Sequence, residues 1–208
     1  TYSSAMPNAV SIENFNLAIN AGDQGEKLAK IIEGTIFRSF IDLAEAPESA
    51  FDVSVVVNMK RAATPIAAQS HPGPQAAETL IQSVCKLAGL TLMNNGAHAM
   101  LRGMSTNGDA IKQIGDIAHA AKFHFYIDGD TVWIWPYGGR RDDTIVSTGP
   151  DDGMVGYPSY WENGIVVRTL FNQDIQVGRR LKVTSSIPKA NGTWPIIGVH
   201  HDLATMMR

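Results

Sequence analysis

The apolar positions of the chain change rhythm twice. Over residues 11–20 alternation is partial, with Phe15, Leu17 and Ile19 on one side, the pattern of a half-buried strand. Residues 31–43 are rich in β-branched and aromatic side chains, with Gly34 a candidate bulge. Pro47 breaks this run. Phe51 to Val57 predicts a further strand, alternating first and then continuously apolar. Residues 64–74 hold Pro65, Pro72, Gly73 and Pro74 and read as a linker.

After the linker the period lengthens. Ala76, Ala77, Leu80, Ile81, Val84, Leu87 and Ala88 recur at helical spacing. Pro74 sits at the expected start, where its missing N–H costs nothing, and Gly89 is the expected stop. A strand from Leu90 to Met93, a turn at Asn94-Asn95-Gly96 and a strand from His98 to Leu101 read as a hairpin. Ala110, Ile111, Ile114, Ile117, Ala118 and Ala121 predict a second helix, capped by Asn107 or Asp109. Phe123 to Ile127 and Thr131 to Trp135 then predict a hairpin about Asp128-Gly129-Asp130.

From residue 137 the rhythm returns to β. Strands are predicted at 145–147, 164–171, 180–185 and 193–202, with a hairpin turn at Asn191-Gly192. The expected fold class is α+β: a β-barrel or sandwich-like domain, residues 1–68 and 137–208, interrupted by an α/β insertion over 74–136 in the order helix, strand, strand, helix, strand, strand.

Composition narrows the function. Of 208 residues 44% are hydrophobic, which suits a buried core, and 18% are charged, below the usual quarter. Such a neutral surface fits a protein that works packed against partners. The net charge of -3 gives no case for nucleic acid, and Gly139-Arg140-Arg141 is answered at once by Asp142-Asp143. Cys85 is the single cysteine, which excludes an internal disulfide framework and points to a reducing compartment. No apolar run has the length of a membrane span, and Thr1 to Ala5 lack the pattern of a signal peptide. The chain opens without Met and ends at Met206-Met207-Arg208, so it is expected to be a piece of a longer protein.

The candidate chemistry is thin. Neighbours on a strand face opposite ways, so His200 and His201 do not ligate one metal, and His200 with Asp202 reads as a surface hydrogen bond. Asp151-Asp152 lacks the converging oxygens of a divalent-cation site. Cys85 lies beside a helical stripe as a small buried hydrophobe. Ser39, Ser147 and Ser159 lack the nucleophile elbow, and Gly22-Asp23-Gln24-Gly25 is a turn and not a phosphate loop. Phe123, Phe125, Trp133 and Trp135 have no basic surround, so they read as sheet core and not as a base-stacking platform. No catalytic, metal-binding or cofactor-binding residue is expected.

Two stretches carry a resemblance. Gly34-Thr35-Ile36 is followed by Asp42, Pro47 and Phe51-Asp52-Val53. The second runs through Gly153-Met154-Val155-Gly156-Tyr157-Pro158-Ser159, Glu162-Asn163-Gly164-Ile165, Thr169-Leu170-Phe171-Asn172, Ile175-Gln176-Val177-Gly178, Gly192-Thr193-Trp194 and Val199-His200-His201-Asp202-Leu203. In this order they resemble the baseplate hub proteins of contractile-tailed phages and myovirus-like prophages. Gly108-Asp109-Ala110 and the Asp128-Gly129 hairpin match as well. The resemblance implies a homotrimer that joins the tail tube to the central spike among other baseplate proteins, with no catalysis, nucleic acid or membrane. It places the protein in the virion tail, made in the host cytoplasm. Two other classes compete. A secretin-like ring module shares the order of helices and strands. A tail-associated hydrolase would need an acid/base pair, for which no Glu stands in a suitable setting.

Overall fold

The structure is a computed structural model that describes residues 16–22, 29–42, 50–57 and 65–202. Phe15, the turn after Gly22, Leu43, Pro47, Thr64 and Leu203 lie outside the described residues.

β1 (Asn16–Ala21), β2 (Ala29–Asp42) and β3 (Ala50–Val56) pair antiparallel in that order. The register shifts between Ile19 and Asn20 and between Ile36 and Arg38, so the bulges are not at Gly34. Gly34 instead marks a close approach. A Cβ there would lie 2.7 Å from both Val55 Cγ1 and the Val56 carbonyl oxygen, so no larger residue fits without moving β3.

The proline-rich stretch is not a linker. Gln69–Ala76 forms β4, which pairs antiparallel with β6 (Met100–Thr106). A strand tolerates Pro72 because the ladder skips there: His71 faces Met104 and Pro74 faces Arg102, leaving Pro72-Gly73 opposite Gly103. Proline removes a donor, and at a bulge that donor has no acceptor waiting. β4 runs straight into α1 (Ala77–Ala88), so Pro74 belongs to the strand and not to the helix start. Glu78 in the first turn and Lys86 in the last complement the helix dipole. Gly89 closes α1 at φ 67, its N–H turned back to the helix carbonyls.

β5 (Thr91–Asn94) does not form a hairpin with β6. It pairs parallel with β8 (Thr131–Pro136), which pairs antiparallel with β7 (Phe123–Asp128). The Asn94 side chain explains the difference. Its oxygen accepts the Ala97 N–H and its amide donates to the Ala97 carbonyl, which bends the chain out of the sheet. α2 (Ala110–Ala121) is capped by Asp109, whose carboxylate accepts the Lys112 N–H at 2.9 Å. Leu80, Ile81 and Val84 of α1 meet Ile114 and Ile117 of α2 over Val132 and Ile134 of β8 in one buried cluster. Gln113 lies fully inside, off the predicted stripe. It accepts from Thr106 Oγ1 and donates to the carbonyls of Gly108 and Ala67, so its amide is satisfied.

Beyond residue 136 the strands are short. β9 (Ile145–Thr148), β12 (Arg180–Val183) and β13 (Gly192–Pro195) form one sheet with β12 central, and β10 (Ser159–Trp161) pairs with β11 (Gly164–Val166). The strand expected over 164–171 ends at Val166, and Pro188–Ala190 makes a 3-10 turn where a tight hairpin was expected. The fold is α+β as expected. Among the described residues the strands lie in several open sheets and none closes into a barrel. Strands of three or four residues give too few paired positions to curl a sheet onto itself.

Candidate functional site

The hairpin β7–β8 has two differently occupied faces. Phe123, Phe125, Val132 and Ile134 turn toward the helices. His124, Tyr126, Trp133 and Trp135 occupy the other face, so the four aromatics expected to form one core are split between two. This second face is closed by the chain after residue 137. Arg141, 4% exposed, lies with its guanidinium 4.4 Å from the Trp133 ring centroid and 5.4 Å from that of Tyr126, and it pairs with Asp128 at 3.0 Å. Its backbone N–H donates to the Gly178 carbonyl at 2.7 Å, and the Gly178 N–H donates to the Ile196 carbonyl at 2.9 Å.

The short run of arginines and aspartates is therefore only partly self-answered. Arg140 pairs with Asp143 at 2.6 Å, whereas Asp142 reaches across to Arg179 at 2.8 Å. Burial disfavours the Asp142 carboxylate, but hydrogen bonds from Arg179 and from the Thr144 backbone N–H outweigh it and hold its pKa below the usual 3.8. The Arg141 contacts with Asp128, Tyr126 and Trp133 fasten the last third of the chain to the helical unit.

The residues weighed for chemistry do not converge. His200 Nε2 lies 3.0 Å from Asp202 Oδ1, both side chains almost wholly exposed, while His201 turns to the Phe171 ring. Asp151 and Asp152 are exposed on a turn closed between Gly149 and Asp152. Cys85 is buried, which pushes its thiol up to about 11 and disfavours the thiolate. Among the described residues no three His, Cys, Asp or Glu side chains gather as metal ligands, and no helix is long and apolar enough to cross a membrane.

What stands out is exposed apolar surface. Tyr157, Tyr160 and Trp161 are 75%, 57% and 62% exposed, with Val155, Val166 and Leu170 beside them. They form an arm around β10–β11. Its base is pinned by Val155 N–H to the Arg168 carbonyl and by Leu170 N–H to the Gly153 carbonyl. A hollow of about 400 Å³ lined by Pro150, Met154, Gly156, Tyr157, Ser185 and Ser186 opens at its foot. The sequence reading passed over Tyr160 and Trp161. The signal was there: three aromatics within five residues, between Gly156 and Gly164. Aromatics of this kind anchor protein interfaces. A second exposed set, including Phe37 and Ile41, lies on the β1–β2–β3 sheet.

A family model described as Baseplate hub gp41 matches residues 3–207. No curated protein matches the chain.

Proposed function

We infer the working role of this chain from its family: the chain belongs to the baseplate hub gp41 family and is a structural component of the phage tail baseplate, where it meets other baseplate proteins. On that premise it is the hub subunit that joins the tail tube to the central spike of a contractile tail. It acts as a homotrimer, made in the host cytoplasm and carried in the virion. It catalyses no reaction, takes no cofactor or metal, and engages neither nucleic acid nor membrane. Residues 1–68 and 137–208 are the β-rich flanks of the ring-forming domain, and residues 74–136 are the α/β insertion, which projects outward.

The observation that carries this reading is the family match over nearly the whole chain. The physical chemistry agrees with it. A subunit that transmits force needs a rigid core, and the helical unit supplies one. It also needs extensive, weakly charged contact surface, and the exposed aromatic arm and the 18% charge content provide that.

The test is assembly. Purified protein is mixed with recombinant tail tube and spike proteins, and mass is followed by light scattering. A three-copy particle that binds both partners is expected. A stable monomer that binds neither at micromolar concentration ends the reading.

A further inference from the structure

We propose that the β10–β11 arm of one copy packs onto the apolar face of the β1–β2–β3 sheet of the next copy, in a head-to-tail contact. This rests on the reading of the chain as a self-assembling hub.

The arm is uncovered on both faces. Trp161 and Val166 share one side of the hairpin and Tyr160 the other, yet all three are exposed. A two-stranded hairpin of three-residue strands gains little stability by itself. An aromatic side chain offers about 200 Å², so at their fractional exposures Tyr157, Tyr160 and Trp161 present roughly 400 Å². That is half of the roughly 800 Å² that one partner gives to an interface of standard size.

The sheet offers the complementary surface. Sorted by register across both bulges, Ile19, Ile32, Ile36, Ile41, Val53 and Val55 fall on one face. Glu33, Thr35, Arg38, Asp52 and Ser54 fall on the other, together with Phe40 and Val56, so that face is mixed and carries all the charge. A sheet with one uncharged, apolar face and one charged, mixed face is built to be covered on the apolar side. None of the six apolar residues is buried, and Ile41 is 65% exposed. The face is aliphatic where the arm is aromatic.

Charge decides which surface meets which. Asp151, Asp152 and Glu162 flank the arm and make no ion pair among the described residues. An arm-to-arm contact would set these acids against their own copies, and like-charge juxtaposition is costly. The apolar face of the sheet carries no acid, since Glu33 and Asp52 lie on its other side. Two different surfaces on each copy make a heterologous contact, and such contacts close into rings when the rotation allows.

Cross-linking tests the geometry. Trp161→Cys and Ile41→Cys are made separately in the full chain, where buried Cys85 stays unreactive. A short bis-maleimide is added to each variant and to their mixture. The proposal expects a covalent dimer in the mixture, with each variant alone no higher than wild type. A dimer from Trp161→Cys alone would mean an arm-to-arm contact and overturn the proposal, as would no dimer in any sample. Ile41→Asp, at an exposed position, should weaken self-association at least tenfold in sedimentation with an unchanged circular dichroism spectrum. Unaltered association would also overturn it. Particle mass separates this contact from the reading beneath it. A cross-link in a particle that is not three-copy keeps the contact and removes the trimer. A three-copy particle without the cross-link does the reverse.

Discussion

Replacing Gly178 by alanine probes the joint between the helical unit and the last third of the chain. Gly178 has φ 88, a conformation that costs an L-residue about 1–2 kcal/mol. An added Cβ would lie 2.7 Å from Trp135 Cη2 and Cζ2 and 2.8 Å from Arg141 Cβ. Neither neighbour has room to yield, because Trp135 and Arg141 are both buried. The glycine cannot retreat either, since its N–H and carbonyl are bonded to Ile196 and Arg141 on opposite sides. Overpacking of this kind costs about 1–3 kcal/mol. The total for Gly178→Ala is about 2–5 kcal/mol, which for a chain of this size lowers the melting temperature by roughly 4–20 °C. Urea titration followed by tryptophan fluorescence reads the change, with Trp135 at the joint as reporter. Gly198→Ala is the control, with no atom within 4 Å of its added Cβ. It should stay within about 0.5 kcal/mol of wild type. If Gly178→Ala also stayed within that margin, the contact between Trp135 and the Gly178 turn would be refuted.

Two further outcomes follow from the same packing. Ile114→Asp places a carboxylate in the centre of the cluster between the two helices, where Ile114 has no exposure. It should cost several kcal/mol, and an unchanged urea midpoint would show that the α2 stripe does not face the core. Asp142 has a depressed folded pKa, so its contribution to stability is present above the ordinary value of 3.8 and is lost as pH falls through the folded value. Thermal melts between pH 6 and pH 3 should therefore fall less steeply for Asp142→Asn than for wild type, while Asp143→Asn, 83% exposed, should follow wild type. Parallel slopes for all three would remove the Asp142–Arg179 pair as a source of acid sensitivity.

Much of the helical unit was legible because helical periodicity is a local signal. Residues three and four apart lie on one face, so Leu80, Ile81, Val84, Ile114 and Ile117 announced the core before any contact was known. Gly89 and the pair Asn107 or Asp109 announced the helix ends for an equally local reason, left-handed backbone in one case and side-chain capping in the other, and the structure assigns the cap to Asp109. The ordered turn motifs carried the resemblance that the family match bears out over residues 3–207. Strand partners are different, because pairing is chosen between segments far apart in sequence. A run such as residues 90–101 reads as a hairpin until the Asn94–Ala97 turn and the parallel register with β8 send its halves to separate sheets. The proline-rich run reads as a linker until β6 supplies a bulged partner. The aromatic cluster of the arm is visible in the sequence, but its exposure, and that of the sheet face, is a property of the tertiary structure alone. Tyr160, Trp161 and Ile41 look like core residues by type, and only the tertiary arrangement leaves them without a cover, since burial is a property of what the rest of the chain places beside a residue.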